Sequence, residues 1–106
     1  MRLFVYGTLM DPQCVRHVTG CQFPRRPATL HDWSRTVGRH GYPVISPARG
    51  AQVEGLLLDD VDDDALRALD AYEDEGRLYR RRAVSVSVDG RPIACQAYVS
   101  PASQVA

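Results

Sequence analysis

"YRRRAVSVSVDGRPIACQAYV", residues 79–99, decides the fold class of this chain. Val84, Val86 and Val88 alternate with Ala83, Ser85 and Ser87, the period of two that sends successive side chains to opposite faces of a sheet. Asp89-Gly90 is a hairpin signal, because tight hairpin turns need residues that tolerate positive φ. "PIACQAYV" is then the returning strand. Upstream, "DDVDDDALRALDAYEDE" at 59–75 predicts a helix whose first turn is crowded with aspartates, where the helix dipole favours negative charge. "QVEGLLLDD" at 52–60 predicts a strand ending in acid. "RLFVY" at 2–6 predicts a buried strand that halts at Gly7. "DPQCVRHVTG" at 11–20 carries helix punctuation: Asp11 as N-cap, Pro12 at the first helical position, Gly20 past the end. Residues 21–50 hold much of the proline and glycine and predict loops around short strands near 30–37 and 43–45. Many short strands with two short helices give an α+β chain, its sheet curled into a small barrel. No repeat or linker divides residues 1–106, so one domain is expected.

The totals exclude several functions. With 106 residues the chain is long enough for one core, and 44% apolar and 25% charged are ordinary shares for a globular domain. Thirteen basic residues balance thirteen acidic ones, so no net field draws it to nucleic acid or an anionic membrane. All thirteen basic residues are arginine, which excludes Schiff-base chemistry and a phosphate-binding lysine. No stretch is long enough to span a bilayer, and the N-terminus has no signal-peptide cleavage site. Cys14, Cys21 and Cys95 form no C-x-x-C pair, so reduced thiols and a cytoplasmic location are expected.

Two stretches carry candidate chemistry. "FVYGTLMDP" at 4–12 runs from strand through glycine to helix start, leaving backbone N–H groups around a bend that can hold a carboxylate or phosphate. An ordinary strand-to-helix turn has the same pattern. Glu73 follows Leu69 by four residues and Leu66 by seven, so at ~100° per residue it stacks on the leucine face of its helix. Either the helix end frays and the side chain bends to solvent, or an acid is kept in apolar surroundings for a partner or a task. Asp74 and Glu75 point elsewhere on the wheel and are expected in solvent, while the facing of Glu54 is open.

Metal readings fare worse. Asp60, Asp62 and Asp64 match the first ligands of a calcium loop, but Ala65 and Ala71 occupy its glycine and glutamate positions. Cys14, His17 and Cys21 lack a fourth ligand at a familiar zinc spacing, and packing cysteines explain them as well. His31 and His40 have no nucleophile-elbow serine or recognisable cysteine partner. "RRR" at 80–82 lies on an alternating strand and splits between its faces, so it forms no basic patch.

"FVYGTLM" at 4–10, "YPVISP" at 42–47, "VEGLLLDD" at 53–60 and "LDAYEDEGRLYRRRAVSV" at 69–86 resemble, in that order, the γ-glutamylcyclotransferase superfamily, in particular its AIG2-like and γ-glutamylamine cyclotransferase branch. The resemblance implies a small mixed β-barrel with a few short helices packed outside. It also implies a cofactor-free reaction without metal on a small-molecule γ-glutamyl substrate. The α-amine of a γ-glutamyl amine or amino acid attacks its own γ-carbonyl, releasing 5-oxoproline and the free amine. By position, Tyr6, Gly7, Thr8 and Leu9 would form the loop that holds the γ-glutamyl part, and Glu73 would be the general acid/base. Tyr79 and Tyr98 would bind substrate as walls or hydrogen-bonding groups, with core packing an equal reading. Arg81, at the Y-x-R position, is read as orienting a strand or pairing with an acid. The chain ends soon after "AYVSPASQVA" at 97–106, where longer members carry residues that help close the pocket. An open pocket of this kind suits a modest γ-glutamyl amine.

The reaction explains an acid on an apolar face. An α-amino group has a pKa of ~7.8 and a solvated glutamate ~4.3, so the proton transfer would run about 5 kcal/mol uphill. Apolar walls, assigned here to Leu66 and Leu69, would cut this to less than ~2 kcal/mol by raising the acid to ~6.5. The competing function is a non-catalytic module that keeps the fold for a small ligand or protein partner. Both depend on one geometric point: whether Glu73 and the 6–9 bend face the same hollow.

Overall fold

The computed structural model describes residues 1–38 and 41–104. Five strands, β1 (Leu3–Val5), β2 (Arg25–Val37), β3 (Pro43–Leu58), β4 (Arg80–Val88) and β5 (Arg91–Val99), close into a barrel in the order β1-β3-β2-β4-β5. The sheet is mixed, because β1 runs antiparallel to β3 and parallel to β5. Two helices, α1 (Pro12–Thr19) and α2 (Asp63–Glu73), pack outside it.

The alternation in β4 does what a period of two requires. Val86 and Val88 are buried and Val84 packs against them, while Ala83 and Ser85 face out. Asp89 and Gly90, at φ 51 and 77, turn the chain so that Arg80 pairs with Val99 and Val88 with Arg91. The same period divides β1 between two cores. Phe4 and Tyr6 join an interior cluster drawn from all five strands, and Leu3 and Val5 join an outer cluster with Val15, Ala65 and Leu69 of the helices. Gly55 meets β1 so closely that a Cβ would lie 2.3 Å from the Val5 carbonyl oxygen and 2.7 Å from the Phe4 ring.

Helix boundaries follow their caps. Asp11 Oδ1 accepts from the Gln13 N–H at 2.9 Å, Pro12 opens α1, and Gly20 ends it at φ 75. In α2, Asp62 Oδ1 accepts from the Ala65 N–H at 2.8 Å, and Asp74 ends the helix at φ 54. The helix starts later than the aspartate run, because Asp60 takes φ 61 and the Val61 N–H donates to Met1 O at 2.8 Å.

Residues 25–58 differ from the short strands and loops expected. They form two long strands paired from Arg25↔Leu58 to Val37↔Pro43, so "QVEGLLLDD" is the second half of β3. An irregularity between His31 and Trp33 absorbs the loop-forming residues: Asp32 adopts φ 67 and accepts the Gly50 N–H at 3.0 Å. Pro27 is tolerated because β2 meets β4 at Thr29↔Ser87 and not beside it, and Pro43 and Pro47 because β1 pairs with β3 over Leu56–Leu58, away from both.

Candidate active site

β1 ends at Val5 and delivers the chain into a short 3-10 turn, Thr8–Met10. The Met10 N–H donates to Gly7 O at 3.0 Å and the Asp11 N–H to Thr8 O at 3.1 Å. The Thr8 and Leu9 N–H groups lie ahead of this ladder and have no acceptor within the turn. Buried Leu9 anchors the turn below, and Arg35 Nη1 holds Tyr6 O at 2.9 Å.

The end of α2 approaches this turn from the other side. Tyr6, Gly7, Thr8, Leu9, Glu73, Tyr79 and Tyr98 all line one cavity of about 420 Å³. The Glu73 side chain and the 6–9 bend therefore face the same hollow. Thr8 Oγ1 and Tyr72 OH, 3.0 Å apart, tie the two elements together.

Among the described residues, the Glu73 carboxyl has no cation beside it and no hydrogen-bond donor on it. Burial raises it from its ordinary 4.5 to about 7. The apolar wall is not the one expected. Leu66 and Leu69 do not line the cavity and belong to the outer core. Glu73 shares their face but lies ~6 Å further along the axis than Leu69, which carries it past the edge of that core. Tyr6, Leu9, Pro43, Leu78 and Tyr79 supply the apolar surface instead.

The three buried tyrosines are engaged by protein acceptors. Tyr6 OH donates to Tyr98 O at 2.5 Å, Tyr79 OH to Pro43 O at 2.6 Å, and Tyr98 OH to Asp70 Oδ1 at 2.6 Å. Burial pushes the Tyr6 and Tyr98 phenols far above their ordinary range and Tyr79 up to about 12, with the Glu73 charge adding to each.

Arg81 pairs with an acid. Its Nε and Nη2 meet Asp70 Oδ1 and Oδ2 at 3.0 and 3.2 Å, and Nη1 donates to Gln96 Oε1 at 2.5 Å. Asp70 thus links α2 to β4 and β5, a role the sequence pattern did not reveal. Asp74 and Glu75, expected in solvent, are partly buried and engaged. Asp74 pairs with Arg77, and Glu75 Oε2 accepts from the Arg81 N–H at 3.2 Å. Glu54 is exposed and accepts from Thr29 Oγ1 at 2.9 Å. Cys14 Sγ lies 3.5 Å from Tyr72 OH, and His40 lies outside the described residues. Tyr42, Pro43, Tyr72 and Leu78 also line the cavity and were not singled out by the sequence; Tyr42 and Pro43 open "YPVISP", and Tyr72 precedes Glu73 in "LDAYE".

A family model for γ-glutamyl cyclotransferase, AIG2-like proteins matches residues 3–106. The chain belongs to this family. AIG2-like protein D of Arabidopsis thaliana is 38% identical over 79% of this chain and 55% of its own length. The chain spans about half the length of the curated AIG2-like relatives it matches. A solution structure of an Arabidopsis thaliana protein has a TM-score of 0.81 and 31% identity, covering 94% of this chain and 68% of that one. A crystal structure of a mouse AIG2-like protein shares the fold at TM-score 0.71 and 23% identity, covering 98% and 82% of the two chains. The closed mixed barrel with outer helices is thus the AIG2-like fold. No helix among the described residues is long and apolar enough to cross a membrane.

Proposed function

We propose that this AIG2-like chain closes γ-glutamyl amines or amino acids into 5-oxoproline, with Glu73 as general acid/base. The observation that carries the reading is the Glu73 carboxyl: unpaired among the described residues, raised to about 7, and in one cavity with the 6–9 turn. The Thr8 and Leu9 N–H groups offer two donors to an anionic oxygen of the substrate.

Glu73 takes a proton from the substrate's α-ammonium, and the freed lone pair attacks the γ-carbonyl carbon. The new C–N bond closes the five-membered ring. The bond to the departing nitrogen then breaks as the carboxyl returns a proton to it. Two protons pass from the attacking nitrogen in all, so it ends as a lactam N–H and the amine leaves as an ammonium. With the carboxyl at about 7 and the ammonium at ~7.8, the first transfer runs about 1 kcal/mol uphill instead of about 5 for a solvated glutamate. Holding both reacting groups of one molecule in the ring-closing shape supplies much of the remainder.

The test incubates the protein with a panel of γ-glutamyl amines and amino acids and measures 5-oxoproline. Activity should fall as pH drops through about 7, as Glu73 protonates. Product formed by Glu73→Gln at the parental rate would overturn the mechanism. No turnover across the panel, with thermal stabilisation by some other small molecule, would assign the cavity to binding alone.

A further inference from the structure

Tyr42, Leu78 and Tyr79 line the cavity described above and also a second one, of about 490 Å³. We propose that this second cavity receives the leaving group, and that the leaving group is an apolar α-amino acid whose carboxylate is held at Arg77. The assignment rests on the cyclotransferase reading.

The shared residues border both cavities next to the chemistry. Tyr79 is held by its hydrogen bond to Pro43 O and lies close enough to Glu73 and Tyr42 for both to act on its phenol. A γ-glutamyl compound with its γ-carbonyl at Glu73 therefore has its scissile bond near these shared residues. The γ-glutamyl part occupies the cavity of the 6–9 turn, and the departing part has the second cavity to enter. That cavity is lined by Val44, Leu78, Pro101 and Ala102, surfaces that favour an aliphatic or aromatic body.

Charge decides between an amine and an amino acid. Arg77 is the one charged residue lining the second cavity among the described residues, and it does not line the first. Its partner Asp74 lines the first and not the second. Arg77 Nε and Nη2 meet Asp74 Oδ2 at 2.7 and 2.5 Å, so Nη1 faces no acceptor among the described residues. A neutral alkylamine would make no use of this Nη1, and a cationic one could not accept from it. A carboxylate on the carbon next to the departing nitrogen would gain a charge-assisted hydrogen bond.

Two substrates that differ only in that carboxylate, γ-glutamyl-leucine and γ-glutamyl-isoamylamine, provide the test. The protein should prefer the former in kcat/KM by about two- to fivefold, the modest gain of a contact at an exposed arginine. Arg77→Gln should erase the preference and Arg77→Lys should restore part of it. γ-Glutamyl-glycine should be turned over more slowly than γ-glutamyl-leucine by about tenfold, for want of the buried side chain. Calorimetric titration of both substrates into Glu73→Gln protein reads the same preference without turnover. Equal affinity and equal kcat/KM for the pair, or a preference unmoved by Arg77→Gln, would overturn the assignment. An Arg77-dependent binding preference in a protein that forms no 5-oxoproline would uphold the subsite and sink the Glu73 mechanism alone.

Discussion

The two ends of α2 hold the same chemical group in opposite circumstances. At its start, Asp62 caps the Ala65 N–H and exposed Asp63 and Asp64 sit where the helix dipole favours negative charge. At its end, Glu73 is the last helical residue, with no basic residue in that turn, and is partly buried in a cavity wall. Burial raises its carboxyl, and the C-terminal dipole acts in the same direction. Carboxylates at the start stabilise the fold as anions. The one at the end is held at the fold's expense, which is the condition under which it can exchange protons near neutrality.

The sharpest way to break this comparison is chemical. Glu73→Gln should lower 5-oxoproline formation by ~10²–10⁴-fold, the usual contribution of a positioned acid/base, read in initial rates. Leu69→Ala attacks what both ends share. Leu69 is fully buried between helix and barrel, so its truncation should cost about 3 kcal/mol in urea denaturation.

The third test is a stability difference that depends on pH. The folded carboxyl at about 7 lies above its ordinary 4.5, so between those values the folded chain binds the proton more tightly than the unfolded one. Glu73 thus carries no ionisation cost at about pH 4, and the cost grows as pH rises through 4.5 toward 7. Glu73→Gln should match the parent in the acid range and exceed it by ~1–2 kcal/mol at about pH 8, a figure reduced for solvent access to the group. The smallest effect has the opposite sign: Asp62→Ala should cost about 1 kcal/mol at the same pH through loss of the cap. If both substitutions cost stability at about pH 8, the two ends are not opposed and Glu73 has a structural partner.

What could be read from sequence was local. The β4–β5 hairpin showed in the valine alternation and Asp89-Gly90, α1 in Asp11, Pro12 and Gly20, and Glu73 in its four-residue spacing from Leu69. The long β2–β3 ribbon was not legible, because Pro27, Pro43, Pro47 and Gly50 carry loop signals that only an irregular ladder and an open edge can absorb. The cavity walls were misassigned for a related reason. A helical wheel gives the face of Glu73 but not where the outer core stops along the axis, so it points to Leu66 and Leu69 where Leu78, Tyr79 and Pro43 line the cavity. Pairing of Asp70 with Arg81 also depends on register between α2 and β4, which no local pattern encodes.

β1 spans only Leu3–Val5, yet it closes the barrel between β3 and β5 and runs directly into the 6–9 turn. The antiparallel ribbons β2–β3 and β4–β5 make their ladder bonds independently of it, but it supplies buried side chains to both cores. All three residues are buried, Phe4 in the interior core and Leu3 and Val5 in the outer one, so opening this seam would break both cores and the 6–9 turn in one event. The 6–9 turn would then be lost together with the fold, with amides of Leu3–Val5 among the slowest to exchange.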